Sequence, residues 1–492
     1  MLYALDEYVR FSLNTSVIVC DRLVRRDLLR PERWRLALVL PMSLNQVNAL
    51  IAADPPAAAR FQGASEAERS LLTTPYFLNA FLIGGPLADT IASQMHQYFS
   101  QHALTQTDIT RAAEAAFAVY ADSTRTFSWQ RFQELAGQEI ANRLEAAGAI
   151  VIESGLAHFD HHLKHDYLAS RILISDRTRW TPDVFATLTF HASSFETIVM
   201  AMEQIETSAL ADDLLRSLYD WNLYAAGYSI AEGRASRVSP DMQTVILAMF
   251  AERRWDLVTA TAQRAADTLR LIDSPTALNF LQAPSLQAIL QEIRTMPGQS
   301  AWFPDWQRLF TRNTEAPAEE QDILGLATGD SVIGWTTANV LRRLSLSEAQ
   351  VAEVRALVES PNPTVQWRAV HVLGVHPSEA NKNRLLGCLA DDSTNVRFGA
   401  IRSLVEMAAR GSSDLAHQIF VDIADRITLL TAHSTTLAEF ERAIFVQPDR
   451  APAGWTRSVS FVLIALQRAC DGIEERDRWD QVLSKMVNTY GL

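Results

Sequence analysis

The sequence predicts a mainly α-helical chain whose C-terminal part is an array of paired helices. Three observations carry this. Apolar residues recur with helical periodicity through most of the 492 residues. Strand-like sequence is scarce and concentrated in the first 160 residues. A nine-residue pattern also returns after 31 residues: Val365-Gln366-Trp367-Arg368-Ala369-Val370-His371-Val372-Leu373 aligns without a gap on Val396-Arg397-Phe398-Gly399-Ala400-Ile401-Arg402-Ser403-Leu404. A chain that is 48% apolar, 9% aromatic and 21% charged can bury several cores, which excludes a mainly disordered or collagen-like molecule. At roughly 100–200 residues per domain, this length predicts about three to five units.

The elements follow in order. Ser16-Val17-Ile18-Val19-Cys20 is a short β-branched run of the kind found in a buried parallel strand. A second apolar run, Trp34 to Leu40, is closed by Pro41, and Ser43 is an N-cap for a helix with Val47, Leu50 and Ile51 on one face. Helical patterning continues through 66–83, 86–102 and 107–121 and breaks at the polar Ser123-Thr124-Arg125-Thr126. One long amphipathic helix is expected from Trp129 to about Ala147. Next comes a hairpin with arms 149–152 and 156–159 around Glu153-Ser154-Gly155. A helix resumes at His161 and ends before Ser175, so that helix, wing and helix outline a winged-helix domain. Residues 180–320 read as helices with proline-containing breaks and carry no enzyme signature.

Charge and composition narrow the function. With 44 basic and 57 acidic residues the formal net charge is −13, so a blanket affinity for nucleic acid or anionic membrane is not expected. Cys20, Cys388 and Cys470 are too far apart in sequence for a CxxC metal pair or a disulfide framework, which favours a reducing compartment. No apolar run approaches the ~18–20 residues of a membrane span, and the first residues lack a basic region and an apolar signal core. A soluble, cytoplasmic protein without a membrane partner is the expectation.

In the repeat, valine, aromatic, alanine, β-branched and leucine positions coincide, and each copy follows a turn, Ser360-Pro361-Asn362-Pro363 or Asp391-Asp392-Ser393-Thr394. A weaker earlier copy contains Trp335, Ala338 and Leu341. Small Ala369 and Ala400 are expected where neighbouring helices approach most closely. The pattern resembles HEAT repeats; Val396-Arg397 fits their valine-arginine step, and Val365-Gln366 departs from it. This resemblance implies an interaction surface for protein or nucleic acid; with the acidic charge balance, protein partners bound through the repeats are the expectation and nucleic acid is not.

The first 175 residues resemble the C-terminal portion of a NACHT-type, STAND-class NTPase module. Val17-Ile18-Val19-Cys20-Asp21-Arg22 is similar to the family's sensor strand, Leu38-Val39-Leu40-Pro41-Met42-Ser43 to the start of its helical domain, and Leu71-Leu72-Thr73-Thr74-Pro75-Tyr76-Phe77-Leu78 to its proline-bearing helix. Phe159-Asp160-His161-His162-Leu163-Lys164-His165-Asp166-Tyr167-Leu168-Ala169 resembles the end of its winged helix. The resemblance implies nucleotide contacts for Arg22 at the terminal phosphate, Pro75 at the adenine and His161 at the diphosphate. Each residue also has a plainer reading: a strand-end surface arginine, a helix-N1 proline and a polar helix start. Zinc is a further reading of the cluster His158, His161, His162 and His165 with Asp160, although no third ligand stands out and no metal site is assigned.

Nothing in the chain fits Gly-x-x-x-x-Gly-Lys-Ser/Thr, none of Lys164, Lys382 and Lys485 follows a glycine, and a Walker B aspartate run is missing. No catalytic set is recognisable either. The expectation is therefore a chain that begins inside an NTPase domain, with ATP or ADP as cofactor only if a missing P-loop fragment is supplied. The expected domains are an α/β NTPase remnant (1–42), a helical domain (43–125), a winged helix (126–175), a helical connector (176–320), HEAT-like α-solenoid repeats (321–430) and C-terminal helices (431–492). The corresponding function is a STAND-type regulatory scaffold in signalling or antiviral defence. A nucleotide-independent HEAT adaptor and one half of a split ATPase are the alternatives.

Overall fold

The computed structural model describes residues 41–491 apart from 103, 121–124, 191–193, 234–236, 314–316 and 471. The run at 16–20 and Arg22 lie outside the described residues. Two compact units divide the chain, one ending at Ser239 and the other beginning at Pro240.

The first unit opens with short capped helices. Ser43 and Ser65 each form a capping box ahead of Leu44–Ala52 and Glu66–Leu71, and Asp54 caps Pro55–Gln62. The pattern at 66–83 is two helices, because Pro75 has no N–H with which to continue the first and starts Pro75–Leu82 instead. The pattern at 86–102 becomes helical only at Ile91, where the Thr90 side chain accepts from the Ser93 N–H. Gln106–Tyr120 follows.

The expected hairpin is present with a third strand beside it. Strands β1 (Thr126–Ser128), β2 (Ile150–Glu153) and β3 (Leu156–Phe159) form an antiparallel sheet in the order β1-β3-β2. The turn between β2 and β3 has two residues, Ser154 and Gly155, both left-handed (φ 54° and 82°), as a type I′ hairpin requires. Phe127, Ile150, Ala157 and Phe159 face inward and are buried. The single helix expected from Trp129 to Ala147 is instead Trp129–Ala136 and Gln138–Ala146, separated at Gly137, whose φ of 89° cannot continue a helix. His162–Ser175 buries ten residues, and one apolar core runs from Val47 through Leu168. Four helices, Pro182–Leu188, Glu196–Glu203, Ser208–Trp221 and Leu223–Glu232, complete the unit.

The second unit opens with Pro240–Arg253, which is buried along nine of its residues, eight of them apolar, as a central helix should be. The repeat lies further along as helix pairs: Glu348–Ala356 with Pro363–Leu373, and Glu379–Gly387 with Thr394–Arg410. Each first helix tightens into a 3₁₀ turn, Leu357–Glu359 or Cys388–Ala390. The same turn at Gly325–Ala327 precedes Ser331–Leu341, so the weaker copy has the same local form. Second helices pack on second helices of the next pair. Val365, Ala369, Val370, Leu373 and their counterparts Val396, Ala400, Ile401 and Leu404 are all buried.

Ala369 and Ala400 are buried inside the seam, and glycines stand where any side chain would clash with a neighbouring helix. A β-carbon on Gly399 would lie 2.5 Å from Trp367 Cδ1, and one on Gly374 2.8 Å from Ser403 Cβ. Thr394–Arg410 is enclosed along nearly its whole length, burying Arg397, Arg402 and Glu406 with its apolar residues. Among the described residues, no helix is long and apolar enough to cross a membrane.

Candidate functional site

Two places bear on function, one in each unit. In the first unit, Pro75 is the N1 residue of its helix and Tyr76 follows it. The Tyr76 ring stacks on the His161 ring, with centroids 3.8 Å apart and planes 25° from parallel. Of the residues implied by the resemblance, His161 thus touches Tyr76, the neighbour of Pro75. His161 is the N-cap of His162–Ser175: the Leu163 N–H donates to its Nδ1 (3.3 Å), and its own N–H donates to Asp160 Oδ1 (2.8 Å). Lys164 Nζ reaches Asp160 Oδ2 at 2.8 Å and lies 3.8 Å from the Tyr98 ring centroid.

His165 is occupied differently. Its Nε2–H donates to the Ala116 carbonyl (3.0 Å), and its ring packs on Phe159 and Tyr120. Burial pushes its pKa down to about 4, so the imidazole is neutral at physiological pH. Beside it Asp166, 1% exposed, accepts from Tyr120 Oη and from Arg125 Nη1 (2.8 Å). The Arg125–Asp166–Tyr120 set escaped the sequence reading because its members come from three elements. The polar stretch around Arg125 was its one trace.

In the second unit, the repeats sort their charges by depth. Arg368, Lys382, Arg397 and Arg402 are buried, whereas Glu348, Glu353, Glu359, Glu379, Asp392, Asp414 and Asp425 are exposed. Over 348–425, Arg410 is exposed, and Arg355 and Arg384 are half-buried, Arg384 paired with Glu359. Lys382 Nζ bridges Glu379 and Asp422 (2.8 and 2.7 Å), tying Glu379–Gly387 to Ser413–Ala424. Arg342 donates to both oxygens of Glu406 (2.7 and 2.9 Å) and to the His371 carbonyl (2.7 Å), while Arg410 Nε adds a contact to Glu406 at 3.0 Å. One clamp therefore spans three successive second helices. Burial alone would raise the Glu406 pKa, but Arg342 and Arg410 override it and hold the carboxyl at about 2. Trp335 and Trp367 pack edge to face at 4.6 Å across the same seam.

Residues 351–427 match the family model described as HEAT repeats. Comparison with curated proteins returns no match. Among solved structures the chain is similar to an engineered protein (14% identity, 81% of this chain and 99% of that one, TM-score 0.25). It is also similar to the karyopherin Kap121p bound to the SUMO protease Ulp1p (13%, 91% and 51%, TM-score 0.23) and to Kap121p bound to Nup53p (12%, 92% and 57%, TM-score 0.21). The chain spans about half the length of those karyopherin chains. With TM-scores this low, the match over 351–427 is the finding that identifies the repeat module.

Proposed function

We propose that this chain is a protein-interaction scaffold that captures a partner through its HEAT repeats without needing nucleotide. The observation that carries this is the repeat surface, whose buried cations leave an exterior of carboxylates over 348–425. Such a surface favours a partner segment rich in Lys and Arg and speeds its encounter. The second helices are occupied with one another, which leaves the first helices of each pair, Glu348–Ala356 and Glu379–Gly387, as the face for a partner. The test is affinity capture with the full chain, with nucleotide removed and then restored: capture should be the same in both. Capture that depends on ATP would overturn the reading.

A second reading, a STAND-like switch, is favoured by the Tyr76–His161 stack beside Pro75. It differs in its prediction for nucleotide. No glycine-rich loop supplies backbone amides for phosphates, so on the scaffold reading calorimetry should find ATP and ADP binding no tighter than millimolar, about −4 kcal/mol. Micromolar affinity, lost in His161→Ala, would favour the switch.

A further inference from the structure

A recess of about 500 Å³ opens on the first unit beside the three-stranded sheet, a volume within the range of small-ligand sites. Arg125 and Thr126 form one end with His162, Glu153 and Leu156 form the other, and His158 of β3 lies between. The pairing explains this layout. His158 is opposite Thr126 on one side and Val151 on the other, and Leu156 is opposite Glu153, so the two ends are two residues apart along β3, roughly 7 Å.

The end at Arg125 is held in place before any ligand arrives. Buried Asp166 takes the guanidinium at 2.8 and 3.4 Å, and the Phe190 ring lies 5.1 Å from its carbon. Because both the aspartate and the ring are fixed, the guanidinium is a pre-organised wall, not a free side chain. His165 closes the inner side and is committed to the Ala116 carbonyl. His158 is half-buried, and among the described residues no side-chain hydrogen bond or ion pair engages its imidazole. His161, the residue implied by the NTPase resemblance, is not among the walls.

We propose that this recess binds a small ligand carrying one oxyanion group, a carboxylate or a phosphate. The group would lie at the Arg125 end, with the His158 imidazole donating to it. A guanidinium edge beside an imidazole N–H suits that geometry, since charge-assisted bonds from such donors are the strong ones. Glu153 at the opposite end repels a second anionic group, which restricts the class to ligands with a single anionic head and a neutral or cationic remainder.

The test is titration of the full chain with inorganic phosphate and, separately, with acetate, following the histidine ring signals by NMR and heat by calorimetry. Saturable binding of phosphate alone, acetate alone or both supports the proposal and identifies the head group. His158→Ala should weaken it about tenfold, the loss of one charge-assisted hydrogen bond. His158→Gln, which keeps an N–H donor, should retain most of it. His417→Ala, on the other unit, should leave it unchanged. Saturable binding of neither anion would overturn the proposal, as would equal affinity in His158→Ala with the parent melting temperature. Should His158→Ala melt early, His158→Gln decides: a folded Gln variant that loses all binding contradicts a role for the donor.

Discussion

At Gly399 the missing side chain is what lets Trp367 sit against the next helix. Gly399→Ala gains helix propensity of ~1 kcal/mol but places a β-carbon within 2.5 Å of the indole, so overpacking should win by about 1–2 kcal/mol. Gly387, helical and exposed with nothing within 4 Å, has only the propensity gain, so Gly387→Ala should stabilise by ~0.5–1 kcal/mol. Thermal melts of the two variants should therefore shift in opposite directions. His165 makes a second prediction. Its folded pKa of about 4 lies below the unfolded value near 6.5, so below pH 6.5 the unfolded chain takes up the proton first. Its contribution is present above pH 6.5 and is lost as pH falls toward 4, amounting to about 2 kcal/mol between pH 7 and pH 5. Denaturant melts across that range should show the first unit weakening, and a His165→Phe variant should show a flatter profile. Ala369 and Ala400 were legible in the sequence as seam residues, since a small residue recurs at one offset. The close contacts at Gly399 and Gly374 were not, because each depends on a partner in another helix, Trp367 or Ser403, about 30 positions away in sequence.

At the scale of elements, the Arg342–Glu406–Arg410 clamp fastens successive second helices, and a buried ion pair is costly to break from one side. Glu406→Gln should destabilise the second unit by about 3 kcal/mol by leaving two guanidinium groups without their carboxylate. Ala400→Asp should cost about 3 kcal/mol or more by burying a charge in the seam. Ser393→Ala, where the side chain makes no cap hydrogen bond, should change the melt little. If Ala400→Asp melts like the parent, Ala400 is not in a helix–helix seam. Helix pairs and the hairpin could be read in advance because periodicity and a Ser-Gly turn are local signals. Strand β1 could not, since three residues with only Phe127 facing inward have no pattern of their own and pair only once the hairpin exists. The break at Gly137 was also hidden, because the apolar face continues on both sides of it and only the backbone angle separates the helices.

At the scale of the molecule, the net charge of −13 understates how the repeats present themselves. Their cations are spent inside, on carbonyls and buried carboxylates, and the solvent meets mainly Glu and Asp. Total composition alone suggested a mildly acidic surface everywhere; only the burial of Arg368, Lys382, Arg397 and Arg402 concentrates it over the repeats. Capture of a basic partner should accordingly weaken with added salt, and reversing Glu348 and Glu353 to Lys should weaken it strongly while the melt stays close to the parent. The most direct test of the scaffold account is hydrogen exchange on the full chain with and without its captured partner, in nucleotide-free buffer. The account predicts new protection concentrated on Glu348–Ala356 and Glu379–Gly387. Protection confined to residues 41–239, or seen only after ATP is added, would contradict it.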